Sequence, residues 1–135
     1  MWRPVPASAA LAALAAVVLT SCSSTEDDSA RGAADDFYAA VQAKDGAAGC
    51  NLLTPSTKDE LEQSAEKPCD QAILEEDVPA VTDAERVKVY DTMAQVRYAE
   101  DTVFLTRIGD SWRVLAVNCT RQPHERPYDC TVTGG

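Results

Sequence analysis

Five cysteines carry most of the chemistry this chain offers: Cys22, Cys50, Cys69, Cys119 and Cys130. A thiol can act as a nucleophile, ligate a soft metal, take a covalent modification or pair with a second thiol. Zinc sites gather cysteines as C-x₂₋₄-C, and no two of these five stand so close. The single histidine, His124, lies in a loop with two prolines and has no second ligand beside it. No metal and no cofactor is therefore expected. There is no G-x-S-x-G, and the six glycines form no phosphate or dinucleotide motif. Glu75-Glu76-Asp77 lacks the spacing of a calcium loop and reads as a solvated helix end.

Cys22 stands apart because of what precedes it. Arg3 and the amino group form a short positive region, and residues 7–19 are a weakly apolar run. A membrane-spanning helix needs roughly 20 apolar residues, so this run has the length of a secretory leader instead. It ends Leu19-Thr20-Ser21-Cys22. That tetrad resembles the lipobox of bacterial lipoproteins, a branched apolar residue and two small ones before a cysteine. The resemblance implies a signal peptide over residues 1–21, cleavage before Cys22 and a diacylglycerol on its thiol. Two acyl chains hold a protein stably at a bilayer where one does so only marginally. Residues 22–30, rich in serine and acid, then read as the lipidated cysteine and a flexible tether. The domain proper is expected over 31–135. The expected location is the extracytoplasmic side of the cell membrane, held there by the lipid.

With Cys22 assigned to lipid, four cysteines remain, and an even number in an oxidising compartment reads as two disulfides. Three connectivities exist. Cys50–Cys69 and Cys119–Cys130 are favoured because each pair lies within one local structural unit. Loss of Arg3 with the leader leaves 22 acidic residues against 11 basic ones. Such a charge repels nucleic acid and anionic headgroups, so no nucleic-acid partner is expected. No basic patch is visible along the chain.

These cysteines must be positioned by two kinds of element. Ala34, Phe37, Tyr38 and Val41 fall on one face of a helix over 30–44, which Asp45-Gly46 breaks. Short helices are expected over 47–53, around Leu61, and over 69–76. Ser56 with Asp59, or Thr57 with Glu60, has the spacing of a capping box. From Val87 the period becomes two. Val87, Val89 and Met93 share one parity, and Val96 and Tyr98 the other, which suggests a bulge or a bend near 92–95. Glu100-Asp101 and Gly109-Asp110-Ser111 are turn chemistry. Strands are expected over 103–108, 112–119 and 128–132; in the second of these Trp112, Val114 and Ala116 fall on one face and Leu115 and Val117 on the other. Helices followed by an antiparallel meander argue an α+β fold, helices packed on one face of a curved sheet.

This order resembles the NTF2-like cone, and is similar to small exported actinobacterial lipoproteins with such a domain. The carrying residues are Asp35-Asp36-Phe37-Tyr38, Cys50 with Pro68-Cys69, the run Gly109-Asp110-Ser111-Trp112-Arg113, and Tyr128-Asp129-Cys130. The resemblance implies a pocket between helices and sheet, with Tyr38, Tyr90, Tyr98 and Trp112 as lining and Asp91 or Asp101 as a carboxylate. Tyrosine and tryptophan in amphipathic elements are more often core residues with a polar tip, and no aspartate–histidine pair is available. The reading is a lipid-anchored binding or accessory domain without catalytic residues, meeting an envelope protein or a small molecule. The alternative is an NTF2-like enzyme of the isomerase or dehydratase type, with a small apolar pocket.

Overall fold

Ala30, Ala34, Phe37, Tyr38 and Val41 recur at helical spacing, and all five are buried in the computed structural model, which describes residues 1, 2 and 22–134. They form the inner stripe of α1 (Cys22–Gln42). The leader, the lipobox residues Leu19, Thr20 and Ser21, and the side chain of Cys22 lie outside the described residues. Residues 23–29, expected as part of a flexible tether, form the first turns of α1 instead. Ala30 has no exposed surface, Glu26 forms an ion pair with Arg107, and Ser29 Oγ donates to the Thr25 carbonyl. Packing against the sheet thus draws this acidic segment into the domain.

Three short helices follow: α2 (Gly46–Asn51), α3 (Pro55–Ala65) and α4 (Cys69–Glu75). Asp45 caps α2 by accepting the Ala48 N–H. Thr54 caps α3, accepting from the Thr57 N–H, with Pro55 in the first turn. The cap therefore precedes the Ser56 or Thr57 position expected from the spacing. Proline suits the first helical position, where its missing N–H costs nothing. Thr57 is buried instead, and its hydroxyl donates to the Leu115 carbonyl. At the start of α4, Glu62 accepts the Cys69 N–H.

Helices of six and seven residues are marginal alone. The Cys50–Cys69 disulfide joins α2 to α4, with Cα atoms 6.1 Å apart. Gly46 allows their close approach, since a Cβ there would strike the Asp70 carbonyl. Gly46→Ala must therefore push α2 from α4. The expected loss is about 1–3 kcal/mol, or roughly 5–15 °C in melting temperature. Thermal denaturation checks it, and an unchanged midpoint would contradict the close contact.

The five strands β1 (Arg86–Tyr90), β2 (Met93–Arg97), β3 (Thr102–Ile108), β4 (Ser111–Thr120) and β5 (Asp129–Thr133) form one open antiparallel sheet in chain order. The fold is α+β, as expected. The parity slip, expected as a bulge or a bend near 92–95, is a reversal of the chain. Tyr90 pairs directly with Met93 across a two-residue turn, Asp91-Thr92, with Asp91 at φ 54°. There are two strands here, and no bulge within one. The bulge lies on β4, where Leu105 pairs with Val114 but Phe104 pairs with Ala116. Leu115 is the extra residue, and its carbonyl accepts from Thr57 Oγ1 and the Gly134 N–H. The inner face of β4 thus changes parity, from Trp112 and Val114 to Val117. Ala116 sits opposite Phe104 and outside the core cluster, contrary to the simple alternation. Cys119 faces Cys130 across β4–β5, and the two are bonded. Both disulfides have the favoured connectivity.

Candidate functional site

The inner face of the sheet meets α1 at two tyrosines and two aspartates. Tyr38 and Tyr98 stack edge to face with centroids 5.1 Å apart, and both are almost fully buried. The Tyr38 hydroxyl donates to Asp101 Oδ2 at 2.7 Å, and the Tyr98 hydroxyl donates to Asp35 Oδ1 at 2.5 Å. Asp101 closes the turn between β2 and β3, where its carbonyl accepts the Tyr98 N–H. It is the one buried carboxylate among the described residues.

What Asp101 can do follows from its partners. Oδ1 accepts the Thr102 N–H at 2.7 Å and the Cys119 N–H at 2.9 Å. Oδ2 accepts the Asn118 N–H at 3.0 Å besides Tyr38. A carboxylate offers about four lone-pair sites, and four donors occupy them. A general base needs a free lone pair within reach of the proton it takes. Asp101 has none to offer; it ties α1, the β2–β3 turn and β4 together. Asn118, at φ 57°, turns its N–H toward this carboxylate.

Burial and the Asp101 carboxylate push the Tyr38 hydroxyl well above its ordinary pKa of 10. Burial and Asp35 do the same to Tyr98. A phenol whose pKa is raised on folding contributes stability in full below pH 10, and this is lost as pH rises toward the folded value. Above pH 10 the unfolded chain loses protons that the folded chain keeps. Stability should fall by up to about 1.4 kcal/mol per pH unit for Tyr38. Denaturation midpoints between pH 9 and 12 test this, and Tyr38→Phe should flatten the slope; a slope unchanged by that substitution would contradict it.

The other expected pocket residues lie elsewhere. Tyr90 is 59% exposed, because the β1–β2 turn leaves it beside Met93 on the outer face. Asp91 is in that turn and exposed. Trp112 is buried near the start of β4, under the Arg107 guanidinium at 4.9 Å. Strand rise puts it about 20 Å from Asn118. The four aromatic residues therefore do not share one pocket. The opening nearest Tyr38 is a shallow groove of about 410 Å³ between α1 and the segment Val81-Thr82-Asp83. Glu100 pins that segment by accepting the Thr82 N–H, which holds its carboxyl below the usual range. His124 is exposed at φ 60°. No group of three His, Cys, Asp or Glu side chains among the described residues is placed to hold a metal.

A basic groove, unseen in the sequence, crosses the outer face. In β2 the buried residues are Ala94 and Val96, so Gln95 and Arg97 point away from the helices. Their cross-strand partners Lys88 and Arg86 share that face. The loop after β4 adds Arg121, Glu125, Arg126 and Tyr128, and together these residues enclose about 390 Å³. Five of the chain's 12 basic residues meet here. They are scattered over forty positions among acids, so only strand register assembles them. The correction to the absence of a basic patch is a matter of pairing, not composition. Comparison with family profiles, curated proteins and solved structures returned no match to this chain.

Proposed function

We propose that this chain is a membrane-anchored extracytoplasmic lipoprotein whose domain binds and does not catalyse. The observation that carries the second half is Asp101, buried beside Tyr38 and saturated by four donors. An enzyme of the NTF2-like type would want that carboxylate free in a pocket. Here Phe37, Tyr38, Val96, Val103, Leu105, Val114 and Val117 fill the space between α1 and the sheet. We take the finer fold as an NTF2-like cone with its cavity closed by packing.

The first half rests on the Leu19-Thr20-Ser21-Cys22 box after an apolar run. Two disulfides suggest an oxidising, extracytoplasmic compartment. No helix among the described residues is long and apolar enough to cross a membrane. With α1 beginning at Cys22, the domain would sit close to the bilayer. Seven helical residues span about 10 Å, against roughly 20–25 Å for the same residues extended.

Cys22→Ser tests the anchor. The variant should leave the membrane fraction or remain as uncleaved precursor when fractions are blotted. A processed variant retained normally on membranes would overturn the proposal.

A further inference from the structure

The outer-face groove is a concentration of positive charge on a chain of net charge −10. Arg86 and Arg97 sit directly opposite each other in the β1–β2 ladder. Like charges at such a position destabilise a sheet. Glu85 offsets part of this through a 3.5 Å contact with Arg97 Nε, and Glu125 is the one acid in the lining. Arg86, Lys88 and Arg121 have no ion-pair partner among the described residues. The groove therefore holds an excess of about three positive charges, at a cost to the fold that a bound anion would remove.

The wall is built to stay in place. Arg121, Glu125, Arg126 and Tyr128 all lie between Cys119 and Cys130, so the disulfide closes the loop that carries them. Tyr128 stacks edge to face on Phe104 with centroids 5.1 Å apart. Arg126 Nε donates to the Pro123 carbonyl within the loop. A loop held at both ends and against the sheet loses little further entropy on binding.

We infer that this groove is a binding site for a compact phosphorylated polyanion of the pyrophosphate or bisphosphate class. This deepens the binding reading above and rests on it. The volume is in the range of small-ligand sites, about 300–1,000 Å³, and is not a flat protein interface. The tetrahedral oxygens of phosphate diverge, so guanidinium forks from β1, β2 and the β4–β5 loop can each engage one group. A single planar carboxylate would leave most of the excess charge unmet.

Position argues for a dissolved anion over a lipid headgroup. Glu26, four residues after Cys22, pairs with Arg107 near the β3–β4 turn. Arg97 and Arg121 lie at the other end of the sheet, beside the β2–β3 turn. By strand rise the two ends of β3 are about 20 Å apart. The groove is thus at the end of the sheet remote from the start of α1.

The test is calorimetric titration of the full mature protein, with its anchor, in nanodiscs of phosphatidylcholine. The probe is inorganic pyrophosphate, and citrate is the comparison. One saturable site is expected, weakened at least tenfold in the Arg86→Gln/Arg121→Gln double variant and unchanged in Lys58→Gln, which lies on α3. Citrate should bind at least tenfold more weakly. No saturable binding, equal binding by the double variant with an unchanged melting curve, or equal affinity for citrate would overturn the inference. So would a more than tenfold loss in phosphatidylglycerol nanodiscs that the double variant does not show, since headgroups would then fill the groove. Failure here leaves membrane retention of the protein untouched, and loss of retention in Cys22→Ser leaves the groove untouched.

Discussion

Asp101→Asn is expected to unfold the domain or lower its melting temperature by about 15 °C or more. The carboxylate accepts from Tyr38 and from the N–H groups of Thr102, Asn118 and Cys119. An amide has one oxygen, which can satisfy about two of these donors. Its NH₂ group would face the other two, donor against donor. Each buried donor left unpaired costs about 1–3 kcal/mol, so the two together cost about 2–6 kcal/mol, a large part of a small domain's stability. Tyr38→Phe removes one donor and leaves three, and should cost only about 1–2 kcal/mol. Urea denaturation followed by the fluorescence of buried Trp112 separates the two. An Asn variant as stable as the parent would contradict the structural role and return Asp101 to candidacy as a general base.

The second large effect is expected from Cys50→Ser/Cys69→Ser. Chain-entropy estimates put the bridge at about 3 kcal/mol for a loop of this length. The two helices are one to two turns each and are marginal alone, so besides the bridge they depend on core packing such as that of Ala72 and Ile73. Hydrogen exchange should show their amides exchanging early, while the β3–β4 amides stay protected. Cys119→Ser/Cys130→Ser should cost less, because the β4–β5 ladder also joins those residues. Equal protection of α2 and α4 with and without the Cys50–Cys69 bridge would contradict this.

What was legible in the sequence was what local chemistry decides. Phe37, Tyr38 and Val41 announce α1 by spacing alone, and the cysteines pair within their own halves of the chain. The errors come from residues whose conformation is set at a distance. Leu115 bulges because Thr57 and Gly134, both remote in sequence, bond its carbonyl. The Asp91-Thr92 turn has no glycine or proline to mark it, so two strands looked like one irregular strand. Residues 23–29 look like a solvated tether until Arg107 supplies a partner for Glu26.

The candidate site divides in the same way. Tyr38 and Asp101 were both visible, but their bond spans 63 positions, and only the structure shows that it saturates the carboxylate. The basic groove needs the pairing of Arg86 with Arg97 and of Lys88 with Gln95 before its residues share a face. Alternating charges at Arg86 and Lys88 were the available signal, and nearby acids such as Glu85 obscured it.

Intact-mass spectrometry of the protein extracted from membranes under non-reducing conditions tests the central claim most directly. The expected species begins at Cys22, carries a diacylglycerol on that residue, and weighs four hydrogen atoms less than its reduced form, as two disulfides require. A soluble species that retains residues 1–21, has no lipid and gains no mass on reduction would contradict the anchored, oxidised domain described above.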